Sequence, residues 1–195
     1  MSRNPTIDYV TIASTGNATD FGDLSTGNIT MGATGSTTRL VFGGGYTGSY
    51  SNIMEYITIS STGNATDFGD LTLARGSVGA CGSSTRGLFS TGFHGGSGAV
   101  TNIIDYITIA STGNATDFGD STQSRYLSTG ASTATRATFA GGFAYGNDGG
   151  GTAINETVNI IDAVTIASTG NATDHGDLTS ANNTAGGSDA HGGIS

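Results

Sequence analysis

Fifteen acidic residues dominate the chemistry open to this chain of 195 residues. Twelve of them fall at three positions of a fourfold repeat: Asp8, Glu55, Asp105 and Asp162; Asp20, Asp67, Asp117 and Asp174; Asp23, Asp70, Asp120 and Asp177. Carboxylates so spaced offer two chemistries. Asn17, Asp20 and Asp23 are hard oxygen donors within one turn, and calcium takes about six to eight such oxygens. Facing carboxylates also serve as the acid and base of glycosidases. Repetition argues against both, because twelve near-equivalent acids provide no unique pair and lack the dense Asp-x-Asp spacing of a calcium loop. Single turns of this kind cap backbone amides instead. All six basic residues are arginine. Pairing of the acids with Arg39, Arg86 and Arg136, or with Arg75 and Arg125, is expected, since an Arg fork holds a carboxylate or strand-end carbonyls. No cofactor is expected, with calcium on the turn oxygens left open.

Nucleophilic catalysis finds little support in the residues. It needs a base and an orienting group beside the nucleophile, whereas His94, His175 and His191 sit in unrelated repeat contexts. His175 replaces the phenylalanine of Phe21, Phe68 and Phe118 and reads as a substituted core or rim position. Gly43-Gly44-Gly45 precedes a strand signal rather than the helix a phosphate cradle requires. The single cysteine, Cys81, excludes an intrachain disulfide framework and reads as a small buried apolar residue. Asn-x-Thr triplets such as those at Asn17, Asn64, Asn114 and Asn171 read as turns. A formal charge of −9 repels polyanions, so nucleic acid is not an expected partner. No apolar run reaches the roughly 18 residues of a membrane helix, so membrane insertion is not expected. Met1 to Tyr9 carries no charged-then-apolar leader pattern.

The elements that position these residues follow from the repeat. The spacing from acid to phenylalanine is constant in Asp8 to Phe42, Glu55 to Phe89 and Asp105 to Phe139, while the spacing from each phenylalanine to the next acid is 13, 16 and then 23 residues. A fixed scaffold thus carries one variable segment. In Ile7 to Ile12 β-branched and aromatic residues alternate as on a pleated surface. Ser14-Thr15-Gly16-Asn17 then supplies turn chemistry, with Gly16 and Asn17 expected at positive φ, and the hairpin returns through Ala18 to Leu24. The small-residue stretches Ser77 to Ser84 and Ser128 to Thr135 are expected strands whose Gly and Ala let backbones approach. Thr38 to Tyr46, Thr85 to Phe93 and Thr135 to Phe143 are short strands ending in glycines. Four strands in about 50 residues is the period of a propeller blade. Despite 34 glycines and 35% apolar residues, the expectation is an ordered all-β chain.

These residues resemble the kelch repeat. An apolar strand closing on a glycine pair is matched by Phe42-Gly43-Gly44 and, with Ala140 interposed, by Phe139-Gly141-Gly142. An aromatic followed three residues on by an apolar residue is matched by Phe21 with Leu24 and Phe68 with Leu71. The subsequent arginine is matched by Arg75 and Arg125 and replaced by Asn28 and Asn182. Phenylalanine stands where the family has tryptophan, and Ser90-Thr91 replaces one glycine pair. The phrase Ser-Thr-Gly-Asn-Ala-Thr-Asp-Phe-Gly-Asp-Leu is also similar to repeats in large tail-fibre-like structural proteins of marine bacteriophages. The resemblance implies a kelch-like β-propeller of about four blades, one split between the termini, or an open propeller segment. It spans residues 1–195 as one repeat domain, in units of 1–24 plus 179–195, 25–71, 72–121 and 122–178.

Function is expected in the variable segments, roughly 46–52, 94–102 and 144–159, because insertions in repeat proteins collect on a working face. Tyr46, Tyr50, His94, Tyr145, Asn147, Asp148, Asn155 and Glu156 supply flat aromatics for stacking on a pyranose and amide or acid groups for its hydroxyls. The expectation is a non-enzymatic virion structural or receptor-binding module, in a virus particle or outside the cell. Its partners would be host-surface glycan or protein, or other virion proteins, with homo-oligomerisation open. The alternative is a secreted glycan-active enzyme or calcium-dependent lectin on the same scaffold.

Overall fold

The computed structural model describes residues 3–95, 99–147, 153–183 and 186. Sixteen strands and, among the described residues, no helix make an all-β protein. A hairpin of β1 (Thr6–Tyr9) and β2 (Thr19–Asp23) leads into three four-stranded antiparallel meanders. Sheet I is β3 (Gly32–Gly35), β4 (Arg39–Gly43), β5 (Ile53–Thr58) and β6 (Thr66–Asp70); sheet II is β7 (Gly79–Gly82), β8 (Arg86–Phe93), β9 (Val100–Thr108) and β10 (Thr116–Arg125). Sheet III is β11 (Thr129–Ser132), β12 (Arg136–Ala140), β15 (Ile160–Thr165) and β16 (Thr173–Asp177), with a separate hairpin of β13 (Phe143–Asn147) and β14 (Ala153–Thr157) growing between its second and third strands. That hairpin corrects the reading of 144–159 as a loop: Tyr145 pairs with Asn155 and Ala144 with Glu156, so a segment rich in glycine still pairs in register.

The first strands β3, β7 and β11 lie side by side, and their small residues permit it. A Cβ on Gly130 would collide with the Ala80 carbonyl, so a larger residue there would separate sheets II and III. The cores lie between sheets rather than within one. Val41, Met54, Phe68 and Leu71 of sheet I close on Phe89, Ile107 and Ile109 of sheet II, and Leu88, Ile104 and Phe118 of sheet II close on Phe139, Val164 and Ile166 of sheet III.

Each seam also carries a polar clasp built from repeat-locked residues. The Ser-Thr-Gly-Asn turn of one sheet docks on the fourth strand of the unit before it: Gly63 N–H donates to Phe21 O at 2.7 Å, Ala65 N–H to Asp23 O at 2.8 Å, and Asn64 Oδ1 accepts from Asp23 N–H at 3.1 Å. The same three bonds recur from Gly113, Ala115 and Asn114 to β6, and from Gly170, Ala172 and Asn171 to β10. Asparagine is therefore there to receive an amide across the seam; it is the glycines Gly63, Gly113 and Gly170, with φ of 153, 154 and 153°, that take the positive φ. Gly22, Gly69 and Gly119 must be glycine, because a Cβ on each would strike the docked turn.

Beyond the turn, Thr72 donates through N–H and Oγ1 to Asp105, and Thr122 does the same to Asp162. The buried guanidinium of Arg75 meets Asp105 at 3.0 Å and that of Arg125 meets Asp162 at 2.9 Å, all four side chains fully enclosed. Arg75 also donates to Phe89 O and Arg125 to Phe139 O. Burial pushes the Arg75 pKa down from its ordinary value, and Asp105 opposes that shift. Among the described residues, Arg75 and Arg125 are the expected arginine partners that meet carboxylates. Arg39 and Arg86 lie over Tyr56 and Tyr106, 4.5 and 4.4 Å from the ring centroids, and each donates to a backbone carbonyl of the next sheet, Ile109 and Ile166. The second half of the expectation, a fork on strand-end carbonyls, thus describes these two.

Candidate functional site

At one end of the three sheets, the second strand of each runs through glycine into an aromatic residue. Gly44, Thr91 and Gly141 take left-handed φ of 73, 60 and 61°, and the chain turns outward to Tyr46, Phe93 and Phe143. Bridges Ile29↔Tyr46, Gly76↔Phe93 and Tyr126↔Phe143 tie each aromatic to the segment entering that sheet's first strand. Thr91 explains how Ser90-Thr91 replaces a glycine pair. The left-handed backbone is retained, and its hydroxyl pairs with Ser128 Oγ at 2.8 Å while Ser90 pairs with Ser121 at 2.9 Å.

The result is a continuous row of half-buried rings across the sheets. Centroids are 5.1 Å apart for Tyr46–Tyr50 and 5.5 Å for Tyr50–Phe93, Phe93–Tyr126 and Tyr126–Phe143. Arg3 caps the row, its guanidinium 5.0 Å from the centroid of Tyr46 and bonded to Thr47 O. Tilted and edge-to-face rings at this spacing attract one another by about 0.5–1.5 kcal/mol per pair, so the row is preorganised. Partial burial, with Tyr46 and Tyr126 nearby, raises the Tyr50 pKa above 10.0 and keeps its phenol protonated at neutral pH. Beside the row, Thr30, Ser77 and Leu127 also hold left-handed backbone, with φ of 63, 56 and 59°. Hydrogen bonds from Ser77 N–H to Thr30 O and from Leu127 N–H to Ser77 O link these three positions across the sheets. Such conformations cost about 1–3 kcal/mol each and persist where surroundings enforce them.

Of the residues expected from sequence to bind, Tyr46 and Tyr50 lie in the row. His94 follows Phe93 directly, half-buried, its N–H bonded to Ala99 O. Tyr145 is 39% exposed and lies two residues beyond Phe143 on β13, where strand alternation sends both to one face. Asn155 and Glu156 are exposed on β14 opposite Tyr145 and Ala144. Asn147 ends β13; its side chain and all of Asp148 lie outside the described residues, as does His191. Sequence reasoning missed Phe93, Phe143, Tyr126 and Arg3. The first two were visible as repeat equivalents of Tyr46. Tyr126 was not, because Ile29 and Gly76 occupy its place in the other sheets.

The acids of the turns are engaged with backbone. Asp20, Asp117 and Asp174 each accept the N–H two residues on, at 3.0, 3.1 and 2.9 Å. Among the described residues no three His, Cys, Asp or Glu side chains gather into a metal-binding group. His175 is exposed, which excludes its core reading and leaves the rim; its Nδ1 is 3.4 Å from Arg136. Cys81 is 3% exposed, and burial pushes its pKa up to about 12, so its thiol is inert at neutral pH. No helix among the described residues is long and apolar enough to cross a membrane. No protein-family model matches the chain, and no curated protein matches it.

Proposed function

We propose that the chain is a kelch-like propeller array serving as a non-enzymatic structural or receptor-binding module of a virus particle, and that its aromatic end holds host-surface glycan. The array comprises three complete units and parts of a fourth. What carries this reading is the row Tyr46, Tyr50, Phe93, Tyr126 and Phe143, half-buried and spaced at 5.1–5.5 Å. A glycan presents alternating apolar ring faces and hydroxyls. Flat rings with polar handles answer both, since Tyr combines an apolar body with a hydroxyl tip. His94 follows Phe93 in the chain, and Tyr145 with its cross-strand partner Asn155 shares a hairpin face with Phe143, so these add donors and acceptors beside the row, while Glu156 pairs with Ala144 on the other face. The repeat-locked acids support binding over catalysis, because Asp105 and Asp162 are occupied in buried pairs and Asp20, Asp117 and Asp174 in capping turns.

The test is an array of bacterial surface glycans probed with the parent chain and with a Tyr50→Ala/Tyr145→Ala variant. Binding by the parent and its loss in a variant with an unchanged melting temperature supports the reading. Equal binding by both would remove the aromatic row from the site.

A further inference from the structure

Three features of the seams, the docked turn found at all three and the threonine grip and arginine reach found between sheets I and II and between sheets II and III, are present at the two ends of this series of sheets as unmatched halves. The first is the turn and its groove. The turn of the β1–β2 hairpin carries the residues of the docked turns and makes the Ser14 N–H to Thr11 O bond whose equivalents Ser61, Ser111 and Ser168 make, yet Ala18 is exposed where the docked Ala65, Ala115 and Ala172 are half-buried. At the opposite end β16 repeats β2, β6 and β10, but its five residues are all exposed. A Cβ on Gly176 meets nothing within 4 Å, whereas one on Gly22, Gly69 or Gly119 strikes a docked turn.

The second feature is the clasp. Thr179 stands where Thr72 and Thr122 grip Asp105 and Asp162; Asp8 stands where Asp105 and Asp162 are gripped, and it is exposed where they are fully buried. The third is the arginine that reaches a neighbouring carbonyl. Arg136 is the equivalent of Arg39 and Arg86, which donate to Ile109 O and Ile166 O. Ile12 is the equivalent of those two isoleucines, and it is 97% exposed where they are 1% and 2% exposed.

From these three matches we infer that the β1–β2 end and the β16 end are complementary faces of one heterologous interface, and that a second copy of this chain occupies each. The contacts follow from the internal seams. Gly16 N–H of one copy donates to His175 O of the next, Ala18 N–H to Asp177 O, Asn17 Oδ1 accepts from Asp177 N–H, Thr179 grips Asp8, and Arg136 reaches Ile12 O. Burying Ile12 adds the apolar term. A head-to-tail contact of this kind builds rings or filaments rather than two-fold dimers. The inference is independent of the glycan reading.

The test uses complementation between chains of residues 1–195. A tail lesion, Gly176→Val or, independently, Arg136→Glu, leaves the β1–β2 face intact, and a head lesion, Ile12→Arg, leaves β16 intact. All three positions are exposed, so at concentrations where the parent is monomeric Arg136→Glu and Ile12→Arg should keep its circular dichroism and melting curve, while Gly176→Val, at a φ of 125°, should keep the fold with a modestly lower melting temperature. Light scattering should find concentration-dependent assembly of the parent, a 19.3 kDa monomer for each variant alone, and a species of twice that mass when a head variant is mixed with either tail variant. A parent that stays monomeric at every concentration overturns the inference. So does a monomer whose melting temperature falls with Ile12→Arg and with Arg136→Glu alike, which would place the contact inside one chain, and so does self-assembly of the singly lesioned variants.

Discussion

The seams between sheets and the aromatic end are built from the same repeat by opposite means. At a seam the same positions make the same kinds of bond: a glycine admits the turn and an asparagine receives an amide at all three, and Asp105 and Asp162 are gripped by Thr72 and Thr122 where Glu55 accepts the Ser25 N–H. At the aromatic end only the glycine-to-aromatic turn is common. The rings differ, Tyr126 stands where the other sheets have Ile29 and Gly76, and the segment between second and third strands grows from a tight turn to a paired hairpin. Invariance within one chain thus marks cohesion, and variation on the same framework marks the place where a ligand would be met.

The largest effects are expected at the seams. Arg75→Met leaves Asp105 buried without its partner, and breaking such a pair costs about 3–5 kcal/mol. Denaturant titration should show that loss. Arg75→Met with Asp105→Leu should recover most of it, because the pair is replaced by apolar volume; a double variant as unstable as the single one would mean that packing, not charge, holds the seam. Next in size, Gly119→Val must displace the docked Gly170 turn, and overpacking costs about 1–3 kcal/mol before backbone strain. Gly176→Val at the equivalent open position should lower the melting temperature distinctly less, since it strikes no turn. Equal losses would show that φ alone, not docking, sets the requirement for glycine.

Smaller stability effects with larger consequences for binding are expected in the row. Phe93→Ala removes ring contacts to both Tyr50 and Tyr126, worth about 0.5–1.5 kcal/mol each, and interrupts the platform at its middle. The smallest effect is electrostatic. Because the folded-state pKa of Tyr50 lies above 10.0, its protonated form contributes stability that is complete below that value and is lost as pH rises through the higher folded value. Tyr50→Phe should flatten the fall of the denaturation midpoint with alkaline pH, and an unchanged slope would show that Tyr50 is as solvated as a free tyrosine.

Much of the scaffold was legible because it repeats. The four strands per unit, the close approach at the small-residue strands and the pairing of Arg75 and Arg125 with acids all follow from residues that recur at fixed spacing. What stayed hidden were relations between units. Nothing local says that Asn64 serves Asp23 rather than its own turn, or that Arg39 reaches Ile109. His175 reads from sequence as a core or rim position and sits at the rim, because its buried equivalents are covered by a following unit that β16 lacks among the described residues. Of the site, the variable segments pointed to Tyr46 and Tyr50, and reading the residue after each glycine pair down the repeats would have added Phe93 and Phe143. The β13–β14 hairpin was obscured by glycine, which weakens strand propensity without preventing cross-strand pairing.

The most direct measurement is the binding of the parent chain and of Tyr50→Ala/Phe93→Ala to an array of bacterial surface glycans, with melting curves on the same samples. The parent should bind a defined subset and the variant should lose it while remaining folded. A folded variant that binds the same subset with the same affinity would contradict the assignment of the aromatic end as the binding face.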